Sequence, residues 1–237
     1  MDRLAGAEEL LDGPLDDRAA LVGNLRDLAR FNRHLGGVDL SARAIQALAP
    51  GTAEVSILDV GTGGADIPLA LIERGRAAAR LVRVTGVDDR PEVLEAATLA
   101  DPRVTATGEL TLHVADGRSL PFADESFDVA HASLLTHHLE PDAARRTLAE
   151  MARVARLGVV VNDLVRCRRA FLGAWLLSRV ATRNRLTRND APLSVRRAYS
   201  FAELTALMAA AGLQVERRFD GPFGHRIALT ARRSGTR

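Results

Sequence analysis

The stretch ILDVGTGGADI, Ile57 to Ile67, carries an apolar run into a turn containing Gly61, Gly63 and Gly64 and then into a carboxylate. Glycine-rich turns after a strand hold adenosine-containing ligands, because the backbone can approach the ligand closely and a helix N-terminus follows. A pyrophosphate is the wrong occupant for this turn. In the G-x-G-x-x-G frame the sixth position is Asp66, and Asp59 stands two places before Gly61. Carboxylates on both sides of the turn repel an anion and suit a cationic ligand with an ammonium group to be held.

Asp88, with Asp89 beside it, closes the next apolar run, where an acidic side chain accepts hydrogen bonds from ribose hydroxyls. Asp116 follows the third run, in HVADG, at a place suited to the exocyclic amine of adenine. S-adenosylmethionine combines a sulfonium, an amino-acid tail, a ribose and an adenine. The candidate cofactor-binding residues are therefore Asp59, Gly61, Thr62, Gly63, Asp88, Asp89, Asp116, Gly117 and Ser133. The candidate catalytic residues are His137 and His138, in SLLTHHLEP. An imidazole titrates near neutrality, so either can take the proton of a phenol or enol, and their spacing does not separate them. Packing beside the cofactor is the alternative for both. No metal site is expected, since neighbours on a helix diverge by roughly 100° and the H-x-x-x-H spacing is absent. His131 is expected to be buried structure, and Asn162 and Asp163 either orient substrate or form a turn.

The elements that must position these residues follow from periodicity. Two N-terminal helices are expected over 18–37 and 40–48, the first ended by Gly36 and Gly37. Short Val- and Ile-rich runs then alternate with helical ones, the pattern of βαβ units and a parallel sheet. Strands are expected over 55–60, 81–87, 110–115, 127–133 and 157–164, with helices over 66–79, 91–100 and 141–155. Residues 166–186 read as a basic amphipathic segment, and 188–200 as a loop. A helix over 201–212, between Ser200 and Gly212, and two strands joined at Gly221 and Pro222 finish the chain. The three strand ends that carry the glycine turn, Asp88 and Asp116 fall on one edge of a parallel sheet, where open α/β sheets bind ligands.

Composition sets bounds on the alternatives. With 47% hydrophobic and 26% charged residues among 237, the chain can bury a sizeable core. No apolar run is long enough to span a bilayer and the acidic start lacks a leader pattern, so a cytoplasmic location is expected. Cys167 has no second cysteine to pair with. Every one of the 32 basic residues is arginine, and the net charge is only +2, so the basic count is weak grounds for nucleic-acid binding.

The segments LDVGTGGAD, GVDD, VADGRSLPFADESFDVAHAS and the closing helix and strands resemble class I S-adenosylmethionine-dependent methyltransferases. The LPF…SFDV portion is similar to the branch that includes ubiquinone and menaquinone methyltransferases. Asn162 and NDAPLSVRRAY resemble bacterial methyltransferases associated with type III polyketide synthases. The resemblance implies an α/β, Rossmann-like, doubly wound seven-stranded sheet, mostly parallel, with an antiparallel last strand. It implies a helical cap over 1–50 and a methyltransferase domain over 51–237, with a helical lid at about 164–199. The function expected is O-methylation of a phenolic or polyketide-type small molecule, in secondary metabolism. C-methylation of a quinone-like ring, RNA methylation and cofactor binding without catalysis remain alternatives. Against RNA, HASLLTHH lacks the Asn/Asp-Pro-Pro-aromatic signature of adenine amine methylation. Phe171, Trp175, Leu176 and Val180 are expected to face an aromatic or lipid-like acceptor from the lid. An ordinary packed helix and a peripheral membrane contact are the other readings of that segment. No nucleic-acid partner is expected, and the protein is expected to be a monomer or homodimer.

Overall fold

The computed structural model describes residues 1–235, so the last two residues of the domain expected over 51–237 lie outside the described residues. Helices α1 (Arg18–His34) and α2 (Gly37–Leu48) precede the sheet. Then come β1 (Glu54–Val60), α3 (Asp66–Ala77), β2 (Leu81–Asp88), α4 (Pro91–Ala100), the four-residue α5 (Arg103–Ala106), β3 (Leu110–Val114) and β4 (Phe127–Ser133). The chain continues through α6 (Pro141–Val154), β5 (Ala155–Leu164), α7 (Arg168–Ala181), α8 (Arg185–Arg197), α9 (Phe201–Ala210), β6 (Leu213–Asp220) and β7 (Arg226–Arg233).

Among the described residues, seven strands form one sheet in the order β3-β2-β1-β4-β5-β7-β6. The β1–β2, β1–β4, β2–β3 and β4–β5 pairs are parallel, and β7 runs antiparallel between β5 and β6. This is the doubly wound sheet with an antiparallel last strand that the resemblance implies. Its order reverses between β1 and β4, so a crevice opens beyond their C-terminal ends. Central strands are buried on both faces. Val55 and Ile57 pack with Ile45, Leu48 and Ile72 of α2 and α3, while Leu58 and Val60 pack with Leu148 and Met151 of α6. Continuous apolar runs suit such strands because neither face meets water.

The helix ends position the N-terminal helices over the crevice. Asp17 caps α1 by accepting from the Ala20 N–H at 2.9 Å. Gly36, with φ of +83°, reverses the chain, and α2 starts immediately at Gly37. The glycine pair thus ends one helix and opens the next. Leu21 and Leu25 of α1 pack on Val93, Ala96 and Ala97 of α4.

Two expectations fail beyond β5. The expected loop over 188–200 is largely α8, capped by Asn184, whose Oδ1 accepts from Leu186 N–H at 2.9 Å and Thr187 N–H at 3.3 Å. Pro192 inside it argues for a loop by its missing N–H. Burial of Leu186, Val195 and Arg197, together with Asp190 accepting from the backbone N–H groups of Leu10 and Leu11, outweighs that local preference. The second failure is the orientation of α7. Of the four residues expected to face the acceptor, Trp175, Leu176 and Val180 are 44, 56 and 72% exposed and Phe171 is half-buried outside the cavity lining, and Ala170, Ala174, Leu177 and Ser178 turn inward instead. Cys167 caps this helix, its Sγ accepting from the Ala170 N–H at 3.4 Å.

Candidate active site

The turn between β1 and α3 is held from below. Gly61 and Thr62 N–H both donate to the Val87 carbonyl at 2.9 Å. Gly61 and Gly63 have φ of +68° and +53°, the left-handed region that disfavours side chains. A Cβ on Gly61 would also fall 2.8 Å from Leu135 Cδ1, so two constraints require glycine there. Asp88 at the end of β2 reaches this turn, accepting from Gly63 N–H at 3.0 Å and Arg90 N–H at 3.2 Å. Burial pushes its carboxyl up to about 6 against those two hydrogen bonds. Asp89 beside it is exposed at the rim. Asp116 is engaged by Arg118, whose Nε and Nη2 each donate at 2.9 Å, and that pair is solvent-facing. Gly117 sits where a Cβ would fall 2.9 Å from Val60 Cγ1.

Gly61, Thr62, Gly63, Asp88, Asp89, Asp116, Gly117 and Ser133 all line one cavity of about 820 Å³. Asp59 does not. It is buried behind the turn, with Oδ1 2.6 Å from His131 Nδ1 and Oδ2 accepting from the Thr62 hydroxyl at 2.7 Å. The structure therefore makes Asp59 a support for the turn rather than a wall of the cavity. Ser133 is also spoken for on one side, its Oγ accepting from Arg226 Nη2 at 2.5 Å.

Behind the turn runs a buried polar chain that sequence reading missed, apart from His131 and Asn162. His131 Nε2 lies 2.7 Å from Ser41 Oγ, which accepts from Asn162 Nδ2 at 2.7 Å. The Arg226 guanidinium donates to Asn162 Oδ1 and Asn32 Oδ1, both at 2.6 Å, and Asn32 Nδ2 donates to Asp66 at 3.0 Å. Desolvation brings the guanidinium down to about 10, with Asp163 and Asp66 working the other way. Desolvation likewise raises the Asp66 carboxyl, against the Asn32 hydrogen bond and the Arg226 charge, and Asp66 also lines the cavity. Removing Arg226 would strand the Oδ1 atoms of Asn32 and Asn162 in the interior and take the nearby positive charge from Asp66 and Asp163. The Arg226→Ala variant is expected to lose about 3–5 kcal/mol of unfolding free energy in urea titrations at neutral pH. A loss below 1 kcal/mol would show the chain to be dispensable.

The two histidines also line this cavity, on a short 3₁₀ turn, Thr136–His138, that follows β4. His137 is buried, its Nδ1 2.6 Å from Asp163 Oδ1, and its backbone N–H donates to Asp163 Oδ2 at 3.2 Å. Burial works to raise the Asp163 carboxyl, but the His137 charge, with hydrogen bonds from His137 and Thr136, holds it well below the usual carboxylate range. His138 Nδ1 lies 2.7 Å from Asp12 Oδ1. The rings do not diverge as adjacent residues on a regular helix would. Their centroids are 4.3 Å apart, and both Nε2 atoms approach Glu9, at 3.9 Å for His137 and 3.8 Å for His138. Burial pushes the Glu9 carboxyl up to about 7, against His138, Ser194 and Arg197. Glu9 and Asp12 carry no motif in MDRLAGAEELLD, and only the folded N-terminal segment brings them here.

Apolar side chains on the cavity wall include Leu28 and Phe31 from α1, Leu35 just after it, Leu177 from α7 and Val195 from α8, with Thr187, Asp190 and Ser194 of α8 among the polar ones. Asn162 and Asp163 do not line it, so any effect on substrate passes through their partners. Among the described residues no helix is long and apolar enough to cross a membrane.

Residues 58–161 match the family model described as "Methyltransferase domain". The chain is 35% identical over 126 residues to the O-methyltransferase cnsE of Penicillium expansum, covering 50% of this chain and 41% of that protein. It is 33% identical over 100 residues to the ubiquinone/menaquinone biosynthesis C-methyltransferase UbiE of Citrifermentans bemidjiense, covering 42% and 40%. The chain thus matches less than half the length of these curated relatives. Its fold is similar to that of a SAM-dependent methyltransferase from Aquifex aeolicus, with a TM-score of 0.63, 16% identity and coverage of 89% and 97%.

Proposed function

We propose, from the match of residues 58–161 to the methyltransferase-domain family and the doubly wound sheet, that the chain is an S-adenosylmethionine-dependent methyltransferase that methylates the oxygen of a phenolic or polyketide-type small molecule. One observation carries the reading. The glycine turn with Asp88 and the Glu9–His137–His138 cluster line one cavity, so a cofactor site and a proton-withdrawing site open onto the same space.

The cofactor's features fit the residues present. Asp88 holds two carboxylate oxygens beside the turn, suited to ribose hydroxyls, and Gly63 leaves open space where any other residue would place a Cβ. Asp116 reaches adenine by exchanging its Arg118 partner for the exocyclic amine, which an exposed pair can do at little cost. When bound, S-adenosylmethionine supplies a methyl carbon activated by its sulfonium. The chain's own tasks are alignment of an acceptor oxygen and removal of its proton. Asp163 fixes the proton of His137 on Nδ1, leaving the Nε2 lone pair turned to the cavity. The apolar side chains of α1, α7 and α8 on the cavity wall exclude water and receive an aromatic or lipid-like skeleton, with residues 1–50 as cap and about 164–199 as lid.

A small acceptor is favoured over a polynucleotide by the cavity, whose volume of about 820 Å³ is of the size that small-molecule ligands occupy. The C-methyltransferase relative keeps ring-carbon methylation as a second reading, since deprotonating a phenol also activates its ring carbons. Incubation with methyl-labelled cofactor and a panel of resorcinols, hydroxyquinones and pyrones, followed by NMR of the product, separates the two. A labelled methoxy signal is expected. A labelled aryl-methyl signal would replace the O-methylation reading, and absence of transfer across the panel would sink both.

A further inference from the structure

Glu9, His137 and His138 each offer one ligand-type atom, and these atoms lie within 4.8 Å of one another. Both imidazoles have Nδ1 committed to a carboxylate, His137 to Asp163 at 2.6 Å and His138 to Asp12 at 2.7 Å. An ionised carboxylate only accepts, so a proton sits on each Nδ1, and in the neutral imidazole Nε2 then presents the lone pair. Those lone pairs face the two oxygens of a single buried carboxylate, Glu9. Glu9 Oε1 is buried without a hydrogen-bond partner, although Arg197 Nη1 lies 3.4 Å away out of hydrogen-bond geometry. Glu9 and Asp12 share one guanidinium, that of Arg197.

We propose that Glu9, His137 and His138 form a binding site for one divalent transition-metal ion of the zinc type, with its remaining position open to the acceptor cavity. Two imidazoles and one carboxylate are the donor set that borderline metals prefer, whereas magnesium and calcium favour oxygen alone. Asp163 and Asp12 stand where the orienting carboxylates of metal-bound histidines stand, fixing the tautomer and the ring plane. The Nε2–Oε separations of 3.9 and 3.8 Å exceed the ~3.3 Å between ligands of a tetrahedral zinc with bonds of about 2.0–2.1 Å, so modest side-chain rotation closes the site. The inference rests on the methyl-transfer reading only for the role of the ion, which would ease loss of the proton from an acceptor oxygen in the open position, in place of an imidazole Nε2 that the ion engages. Binding of the ion is independent of that reading.

The test is titration of the chelator-treated full chain with Co²⁺, without cofactor or acceptor, followed by ligand-field absorption in the visible. One equivalent is expected to bind with micromolar or tighter affinity, with its absorption lost on adding Zn²⁺. Asp12→Asn is expected to weaken binding by about 10–100-fold, as for other orienting partners, and Glu9→Gln by more than that. His113→Gln, on the exposed strand β3, serves as the control and should bind as wild type does, while circular dichroism reports folding of each variant. Absence of the visible band in the wild-type chain, or equal affinity in wild type and a folded Glu9→Gln, would overturn the site. If cobalt fails to bind while phenols are methylated, the metal falls and the methyl-transfer reading stands. If cobalt binds with the expected variant pattern and no acceptor is methylated, the site stands and the methyl-transfer reading falls.

Discussion

Replacing Asp88 with alanine is expected to weaken S-adenosylmethionine binding by roughly 10–150-fold in calorimetric titration, with little change in melting temperature. The magnitude follows from losing hydrogen bonds between ribose hydroxyls and a charged acceptor, about 1.5–3 kcal/mol. The carboxylate is partly buried, so its charged form pays a desolvation cost that places its titration at about 6 instead of the ordinary 3.8. The sign follows from this shift. Between those values the folded, ligand-free chain holds a proton that the unfolded chain has released, so Asp88 favours the native state more as pH falls through 6. Cofactor binding has the opposite dependence, because the ionised carboxylate is the better acceptor. Affinity is expected to drop as pH falls below about 6, with proton release on binding in that range. Asp88→Asn should flatten this limb of the profile. A pH-independent affinity from 5 to 7.5 in the wild-type chain, or full binding by Asp88→Ala, would remove Asp88 from the cofactor site.

The legible part of this chain is the part where one residue's neighbours along the sequence are also its neighbours in space. The βαβ alternation fixes strand identity through continuous apolar runs, and the ends of β1, β2, β3 and β4 then converge because parallel strands present their C-termini at one edge. Asp88 and Gly63 meet on that account, as does Asp116 at the rim. What stayed illegible depends on contacts between distant segments. Glu9 reaches His137 and His138 only because the N-terminal segment packs on α8, with Asp190 holding the backbone of Leu10 and Leu11. Asp59 looked outward by its place before the glycines, but His131 on the neighbouring strand takes its carboxylate inward, a cross-strand pairing that no spacing along the chain displays. For α7 the amphipathic pattern was read correctly as a helix and wrongly as to its face. Small residues, Ala170, Ala174 and Ser178, lie against the cavity, and large ones stay exposed.

His137→Asn is expected to lower turnover by about 10²–10⁴-fold, the range for a positioned acid–base group, while leaving the dissociation constant of S-adenosylmethionine within a few-fold. Asparagine retains a side-chain N–H able to meet Asp163, so the buried carboxylate keeps a partner and the fold is preserved. What it lacks is the second nitrogen directed at Glu9 and the cavity. Asp163→Asn tests the same arrangement from behind. An amide can donate to Nδ1 and stabilise the wrong tautomer, leaving Nε2 protonated and unable to take a proton or bind a cation. Its effect should therefore fall on kcat, not on KM for the acceptor, and it should be reproduced in single-turnover measurements with cofactor bound in advance. A merely structural role for Asp163 would instead lower the melting temperature and raise the fraction of inactive protein with kcat per folded molecule unchanged. Unaltered turnover in a folded His137→Asn chain would exclude Nε2 of His137 from the chemistry, and the burden would pass to His138, whose ring faces the same carboxylate.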